Sequence, residues 1–226
     1  MKIGIIGGGS VGQTLATKLI ANGHDVLLGI RSPTKAEFDK ERQQADTITA
    51  WMAKSGGKAV SFADAAKHGE IVINATSGGV AIEALTMAGA ANLKSKVLID
   101  ISNPLDFSKG MPPSLLPQYS HGTSLGEEIQ KAFPDTHVVK AFNTIAAALM
   151  VEPALLKGDH DLFVAGNSAE AKKTVSDLAL KEFGWKSIVD MGDLVGARAT
   201  EHWLPFWVRH WSVSSSHLFN IKIVKA

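Results

Sequence analysis

Short apolar runs alternate with amphipathic stretches from the first residues onward. Lys2–Ile6 is apolar enough to predict a strand. Ser10–Ala21 places Val11, Leu15 and Leu19 on one stripe, with Ala16 and Ile20 beside it, which is helical spacing. Asn22-Gly23 is a helix stop, with glycine just past the end. The pattern then predicts a strand over Asp25–Ile30, a long polar helix over residues 34–54, a weak strand over 59–62 and a short helix over 63–68. Residues 70–75 and 96–101 read as buried strands around a helix at 80–91. A helix at 124–133, strands at 137–142 and 161–165, an amphipathic helix at 169–183 and a strand at 186–190 follow. Residues 196–219 look helical but interrupted at Pro205, and 221–224 read as a last strand.

Strands that are apolar throughout and alternate with helices belong in a parallel sheet covered on both faces. The predicted class is therefore α/β: a Rossmann-type, doubly wound, mainly parallel sheet with a C-terminal helical extension. The expected organisation is a single domain over 1–226, with a dinucleotide-binding core at 1–150 and an extension at 151–226 packed on it. Residues 106–122 break the rhythm, with three prolines, two glycines and no periodicity. A loop of that length in a compact domain points to function.

The run Gly7-Gly8-Gly9-Ser10-Val11-Gly12 fits G-x-G-x-x-G between the first strand and the first helix. Gly7 permits the tight turn, Gly9 lets a pyrophosphate approach the backbone, and Gly12 lets helix and sheet pack closely. The free N–H groups of the helix start, at Ser10 and Val11 among others, would face the anion. An acid normally follows at the end of the second strand, where it binds the ribose of NAD. This chain has Ile30-Arg31-Ser32 there, with Thr34 and Lys35 beyond. Arginine presents a planar fork to a phosphate, and Ser32 and Lys35 add a hydroxyl and a charge. NADP(H), with its 2′-phosphate, is the expected cofactor. The later strand ends carry Asn74-Ala75-Thr76-Ser77, Ser102-Asn103-Pro104 and Ala141-Phe142-Asn143-Thr144. Thr76, Ser77, Asn103, Ala141 and Asn143 are candidates for the second phosphate, ribose and nicotinamide, although such residues also cap helices.

No constellation for nucleophilic or acid–base chemistry stands out. The eight histidines are scattered, Asp100 sits inside a buried strand as a structural carboxylate would, and no proton relay suited to a ketone reductase is evident. Catalysis by alignment of two cofactors fits that pattern, with Asn103 and Asn143 as the candidate positioning groups. Cysteine is absent, which removes thiol chemistry and thiolate metal sites, and no metal site is expected. A net charge of +1 gives no field for nucleic acid. No apolar run reaches membrane-spanning length, so a cytoplasmic protein without a membrane partner is expected. Trp203, Trp207 and Trp211 recur every four residues. That stripe suggests either core packing or the contact of a homodimer.

The chain resembles the coenzyme F420-dependent NADP oxidoreductases over nearly its whole length. It is also similar to the cytoplasmic oxidoreductase domain of the six-transmembrane epithelial antigen of prostate metalloreductases. The resemblance rests on Gly7–Gly12, Gly29-Ile30-Arg31-Ser32, Asp100-Ile-Ser-Asn103-Pro104-Leu, Val138-Val-Lys-Ala-Phe-Asn143-Thr, Gly166-Asn and Asp190-Met-Gly. It implies that Arg31, Ser32 and Lys35 hold the 2′-phosphate. It also implies that Thr76, Asn103 and residues 141–145 frame the nicotinamide and a flavin-like partner. Asn143 stands where the deazaflavin enzymes carry histidine, which is nearer the metalloreductase pattern. The expected activity is hydride transfer between NADPH and a deazaflavin (F420) or a flavin, FMN or FAD. The residues leave open an NADPH-dependent reductase of a small carbonyl or imine, and a non-catalytic NADP sensor. For a flavin-type acceptor, residues 106–122 are the expected cover, with Met111 and Leu115 or Leu116 as contacts.

Overall fold

The computed structural model describes residues 1–225. In chain order the first elements are β1 (Lys2–Ile6), α1 (Ser10–Ala21), β2 (Asp25–Ile30), α2 (Lys35–Phe38), α3 (Ile48–Ser55), β3 (Lys58–Ser61) and α4 (Phe62–His68). Then come β4 (Ile71–Asn74), α5 (Ala81–Ala88), α6 (Ala90–Leu93), β5 (Val97–Asp100), the two-residue strands β6 (Leu105–Asp106) and β7 (Ser114–Leu115), and α7 (Leu125–Ala132). The last are β8 (His137–Ala141), α8 (Ala147–Val151), β9 (Leu162–Gly166), α9 (Ala169–Leu178), β10 (Ile188–Asp190) and α10 (Gly196–Ser214).

Eight strands form one sheet in the order β3-β2-β1-β4-β5-β8-β9-β10. All neighbours pair in parallel except β8 and β9, so β9 and β10 run against the rest. This is the Rossmann-type, doubly wound, mainly parallel sheet that the alternation predicted. The register puts Val72, Leu98 and Val138 in one row and Ile73, Ile99 and Val139 in the next. The first row packs under α4, α5 and α7, and the second against α1, α8 and α9. One side-chain set per face is what an apolar run covered on both sides requires. Gly4 and Gly12 allow the closest approaches. A Cβ at Gly4 would lie 2.0 Å from the Ala65 carbonyl oxygen, and one at Gly12 would lie 1.9 Å from that of Gly7.

Several boundaries differ from the pattern-based reading. Residues 34–54 form two short helices rather than one, because Thr34 and Thr47 each cap a helix start with a side-chain oxygen. Between them the chain turns through Gln44, at φ +55°. The helix expected at 80–91 is broken at Gly89, at φ +91°. That at 169–183 ends in a wider π turn over Ala179–Phe183. Pro205 does not interrupt α10, although it cannot donate to the Glu201 carbonyl one turn back. Leu204 and Val208 are buried on either side of it, and tertiary packing carries the helix through. Residues 221–224 form no strand, and residues 106–122 hold only the β6–β7 hairpin and a 3₁₀ turn at Pro117–Tyr119.

Three sheet strands carry a polar row at or next to their ends: Asn74 pairs in register with Asp100, and Asp100 with Lys140. The Lys140 side chain is fully buried. Its Nζ donates to Asp100 Oδ2 at 2.7 Å and to the Ser102 carbonyl at 2.6 Å, and it pairs with Glu201 Oε1 at 2.8 Å. Glu201 accepts in turn from the N–H groups of Leu125 and Gly126 at the start of α7, at 2.9 and 3.0 Å. Asp100 Oδ1 accepts from Asn74 Nδ2 and from the hydroxyl and N–H of Ser102. Burial alone would lower the Lys140 pKa, but the two carboxylates outweigh it and raise it. Arg198 adds a two-pronged bond to Glu127, tying α10 to α7 a second time.

Lys140→Met strands two buried carboxylates, and about 3–5 kcal/mol of unfolding free energy should be lost in urea titrations at neutral pH. A raised lysine pKa contributes stability below the unfolded value and loses it as pH rises through the folded one. The native chain should therefore keep this contribution up to the ordinary lysine value of 10.5 and lose it above. A loss of under about 1 kcal/mol for the variant, the worth of a surface pair, would contradict this reading.

Candidate functional site

The first turn of α1 starts at the C-terminal end of β1, and its N-cap, Gly9, has no side chain with which to cap it. No acid occupies that turn. Its leading N–H groups are therefore free to meet an anion. Gly7 has φ +121°, and a Cβ there would lie 2.6 Å from the Ala75 carbonyl oxygen. A Cβ on Gly9 would touch nothing within 4 Å, so the loop opens outward at that position. Gln13 holds the loop's shape, donating to the Gly8 carbonyl at 3.1 Å and to that of Asp46 at 2.8 Å. The loop thus fits a pyrophosphate: tight behind, open in front and lined by free donors.

Arg31, Ser32 and Lys35 all lie exposed beyond the end of β2. The Arg31 side chain is 57% exposed, and its nearest carboxylate is Glu83 at 3.6 Å, itself 60% exposed. Such a loose, solvated pair is worth little and leaves the guanidinium free to exchange partners. Thr34 is committed to capping α2.

The other strand ends are organised by the polar row. Asn74 Oδ1 accepts from both the N–H and the hydroxyl of Thr76, which folds the β4 turn; Ser77 beyond it is exposed. Asn103 Nδ2 donates to the Asn143 carbonyl at 2.8 Å, and Asn143 Nδ2 donates to Asn103 Oδ1 at 2.9 Å. The two candidate asparagines are thus each other's partners. Asn143 Oδ1 remains buried with no donor among the described residues. Between Ala141 and Asn143, Phe142 takes φ +63°, a costly conformation for a bulky residue, and it is held by edge-on packing against Phe183. Strain of this kind turns Asn143 out of the strand toward Asn103.

A cavity of about 670 Å³ opens beside the glycine loop. Ser10, Val11 and Thr14 of α1 form one side, residues 145–148 a second, and Trp207, Trp211 and His217 a third. No carboxylate, lysine or tyrosine lines it. Residues 106–122 do not contribute to its wall: Met111 is exposed, Leu115 is buried in its hairpin, and Leu116 sits by Gly79. The aromatic stripe of α10 supplies that wall instead.

The sequence alone gives no role to Lys140 or Glu201, and the spacing of Trp207 and Trp211 suggests only packing or a dimer contact. The signal for Lys140 is three apolar strands that each carry a polar residue at the end or one position before it: Asn74, Asp100 and Lys140. Nothing local marks Glu201, whose partners Lys140, Gly126 and Leu125 are 61, 75 and 76 positions away in sequence.

Among the described residues, no helix is long and apolar enough to cross a membrane. Residues 2–104 match the family model for NADP oxidoreductase, coenzyme F420-dependent. The F420-dependent NADP reductase of Methanocaldococcus jannaschii is 31% identical over 209 residues, covering 92% of this chain and 91% of that protein. Metalloreductase STEAP3 of Rattus norvegicus is 30% identical over 211 residues, and there the match spans 91% of this chain but only 38% of the larger protein. In structure, a candidate F420-dependent NADP-reductase of Arthrobacter sp. FB24 superposes over the whole of both chains with a TM-score of 0.93 and 45% identity. Fold, glycine loop and full-length likeness agree, and the chain belongs to the coenzyme F420-dependent NADP oxidoreductase family as an NADP-dependent oxidoreductase.

Proposed function

We propose that this chain transfers hydride between NADPH and a flat, flavin-type acceptor, with a deazaflavin of the F420 class ahead of FMN or FAD. The observation that carries the proposal is the aromatic-walled cavity beside the glycine loop. A site for small carbonyls or imines needs a group to protonate the product, and His217 is the one titratable side chain on its wall. Flat rings suit this site better. Trp207 and Trp211 offer stacking area, Ile145 and Ala146–Ala148 exclude water, and Trp207 Nε1 is buried with no acceptor among the described residues. Flavin and deazaflavin rings carry acceptors of the kind that N–H lacks. The family of the Methanocaldococcus jannaschii reductase favours the deazaflavin.

In this reading the N–H groups of residues 9–12 hold the pyrophosphate, with Gly7 and Gly12 keeping the loop closed behind it. Arg31 leaves Glu83 to take the 2′-phosphate with Ser32 and Lys35. Thr76 and Ser77 face the ribose and second phosphate. Ala141, Asn103 and Asn143 border the nicotinamide, and the orphan Asn143 Oδ1 accepts from its carboxamide. NADPH, when bound, supplies the hydride. The protein's own contribution is to align the two rings and keep water out.

Arg31→Ala should weaken NADPH binding and leave NADH almost untouched. A charge-assisted bond is worth about 1.5–3 kcal/mol, so the NADPH preference should fall by roughly tenfold to a few hundredfold in fluorescence titrations. Equal affinity of the native chain for both cofactors would remove the 2′-phosphate assignment.

Anaerobic NADPH oxidation should proceed fastest with oxidised F420, then FMN and FAD, and not with a panel of carbonyls and imines. Trp207→Ala should raise the KM for the acceptor roughly tenfold, the worth of one lost aromatic stack, with NADPH affinity within a few-fold. Turnover of a carbonyl or imine in place of every flavin-type acceptor would replace this reading with the reductase alternative.

A further inference from the structure

After α10 the chain reverses at Ser215, at φ +55°, and runs back along the outside of the helix. Its aromatic residues pack on the tryptophan stripe and not on the main core. The Phe219 ring stacks on that of Trp207 with centroids 5.4 Å apart and meets His210 edge-on at 4.4 Å. His217 stands edge-on to Trp211 and lines the cavity.

The next four residues are fastened to a distant part of the fold, the entrance to β9. Asp161 is buried there, and its carboxylate accepts from Lys222 Nζ at 2.7 Å, from the Ser187 hydroxyl at 2.6 Å and from the Ile223 N–H at 2.7 Å. The Asp161 N–H donates to the Ile221 carbonyl at 2.9 Å, and Asn220 Nδ2 donates to the Asp161 carbonyl at 3.0 Å. His160 completes the clasp. Its Nε2 faces the Pro153 carbonyl, which can only accept, so Nδ1 is left to accept from Asn220 at 2.9 Å. Past this clasp Val224 is 87% exposed.

A segment this firmly held at one end, with rings on cavity-lining tryptophans at the other, has a position to keep. We propose that residues 215–223 are a tethered wall of the acceptor cavity, held by the Asp161 clasp, and that they set how tightly the acceptor ring is gripped. The proposal rests on the acceptor reading given above and makes Asp161 and Lys222 positioning residues, since neither lines the cavity. Burial would raise the Asp161 pKa, but the bonds from Lys222, Ser187 and Ile223 outweigh it and hold the carboxyl below its usual range. The Asp161 carboxyl is therefore ionised at neutral pH.

The test compares the native chain with Lys222→Met, Lys222→Arg, the double variant D161N/K222M and Phe219→Ser. Hydrogen exchange of residues 217–223 and F420 kinetics are measured together, with thermal melting to follow the fold. Releasing the clasp should speed exchange in that segment and raise the KM for F420 about tenfold. NADPH affinity should stay within twofold, and Lys222→Arg should behave as the native chain. Phe219→Ser, which leaves the clasp intact, should raise the same KM. A released segment with unchanged KM overturns the wall, and a segment still protected in the double variant overturns the clasp. A native chain inactive with every flavin-type acceptor overturns the acceptor reading, and the wall with it.

Discussion

Lys140 is the fixed point of this molecule. Its ammonium group lies at the carboxyl edge of the sheet with no water to solvate it, so everything around it must supply hydrogen-bond acceptors. Asp100, the Ser102 carbonyl and Glu201 do so, and each leads somewhere different. Asp100 organises Asn74 and, through it, the Thr76 turn. Ser102 leads to the Asn103–Asn143 pair, and Glu201 fixes α10 and the start of α7. One buried cation thereby sets the turns proposed to hold the cofactor and the helix proposed to wall its partner. An apolar residue could fill the space but could not define three directions at once.

The geometry of the glycine loop is legible because its requirements are local. A tight turn, an open approach and a close helix–sheet contact call for Gly7, Gly9 and Gly12 within six residues, and all three conditions are met in the structure. Arg31 can be proposed for the 2′-phosphate from its position alone, whereas its loose partner Glu83 leaves no local signal, since that contact crosses 52 positions. The sheet followed from apolar runs and their alternation. The helix boundaries were harder. Thr34 and Thr47 look like ordinary members of a polar helix until their hydroxyls are seen to cap new starts, and Pro205 looks like a break until Leu204 and Val208 are seen to be buried.

The cavity proposed for the acceptor is hardly legible in the sequence because it is assembled from distant segments. Trp207 and Trp211 read as core or interface, yet they face α1 and residues 145–148 across a cavity. The proline-rich loop at 106–122 stands out by its composition, while the wall of the cavity comes from the end of α10 and the segment after it. That segment is no strand. One backbone bond, from the Asp161 N–H to the Ile221 carbonyl, is joined by side-chain bonds of Asp161, Asn220 and Lys222 in place of a full ladder.

The central claim is that hydride passes directly from the nicotinamide to a flat ring held in the aromatic cavity. It can be tested with the two NADPH epimers deuterated at C4, each oxidised anaerobically by F420 in the presence of the enzyme. The account predicts that one epimer delivers its deuterium to the ring carbon of the reduced deazaflavin without loss, and that the other delivers none. Deuterium appearing in solvent from both epimers, or NADPH consumption with no label in the deazaflavin, would contradict it.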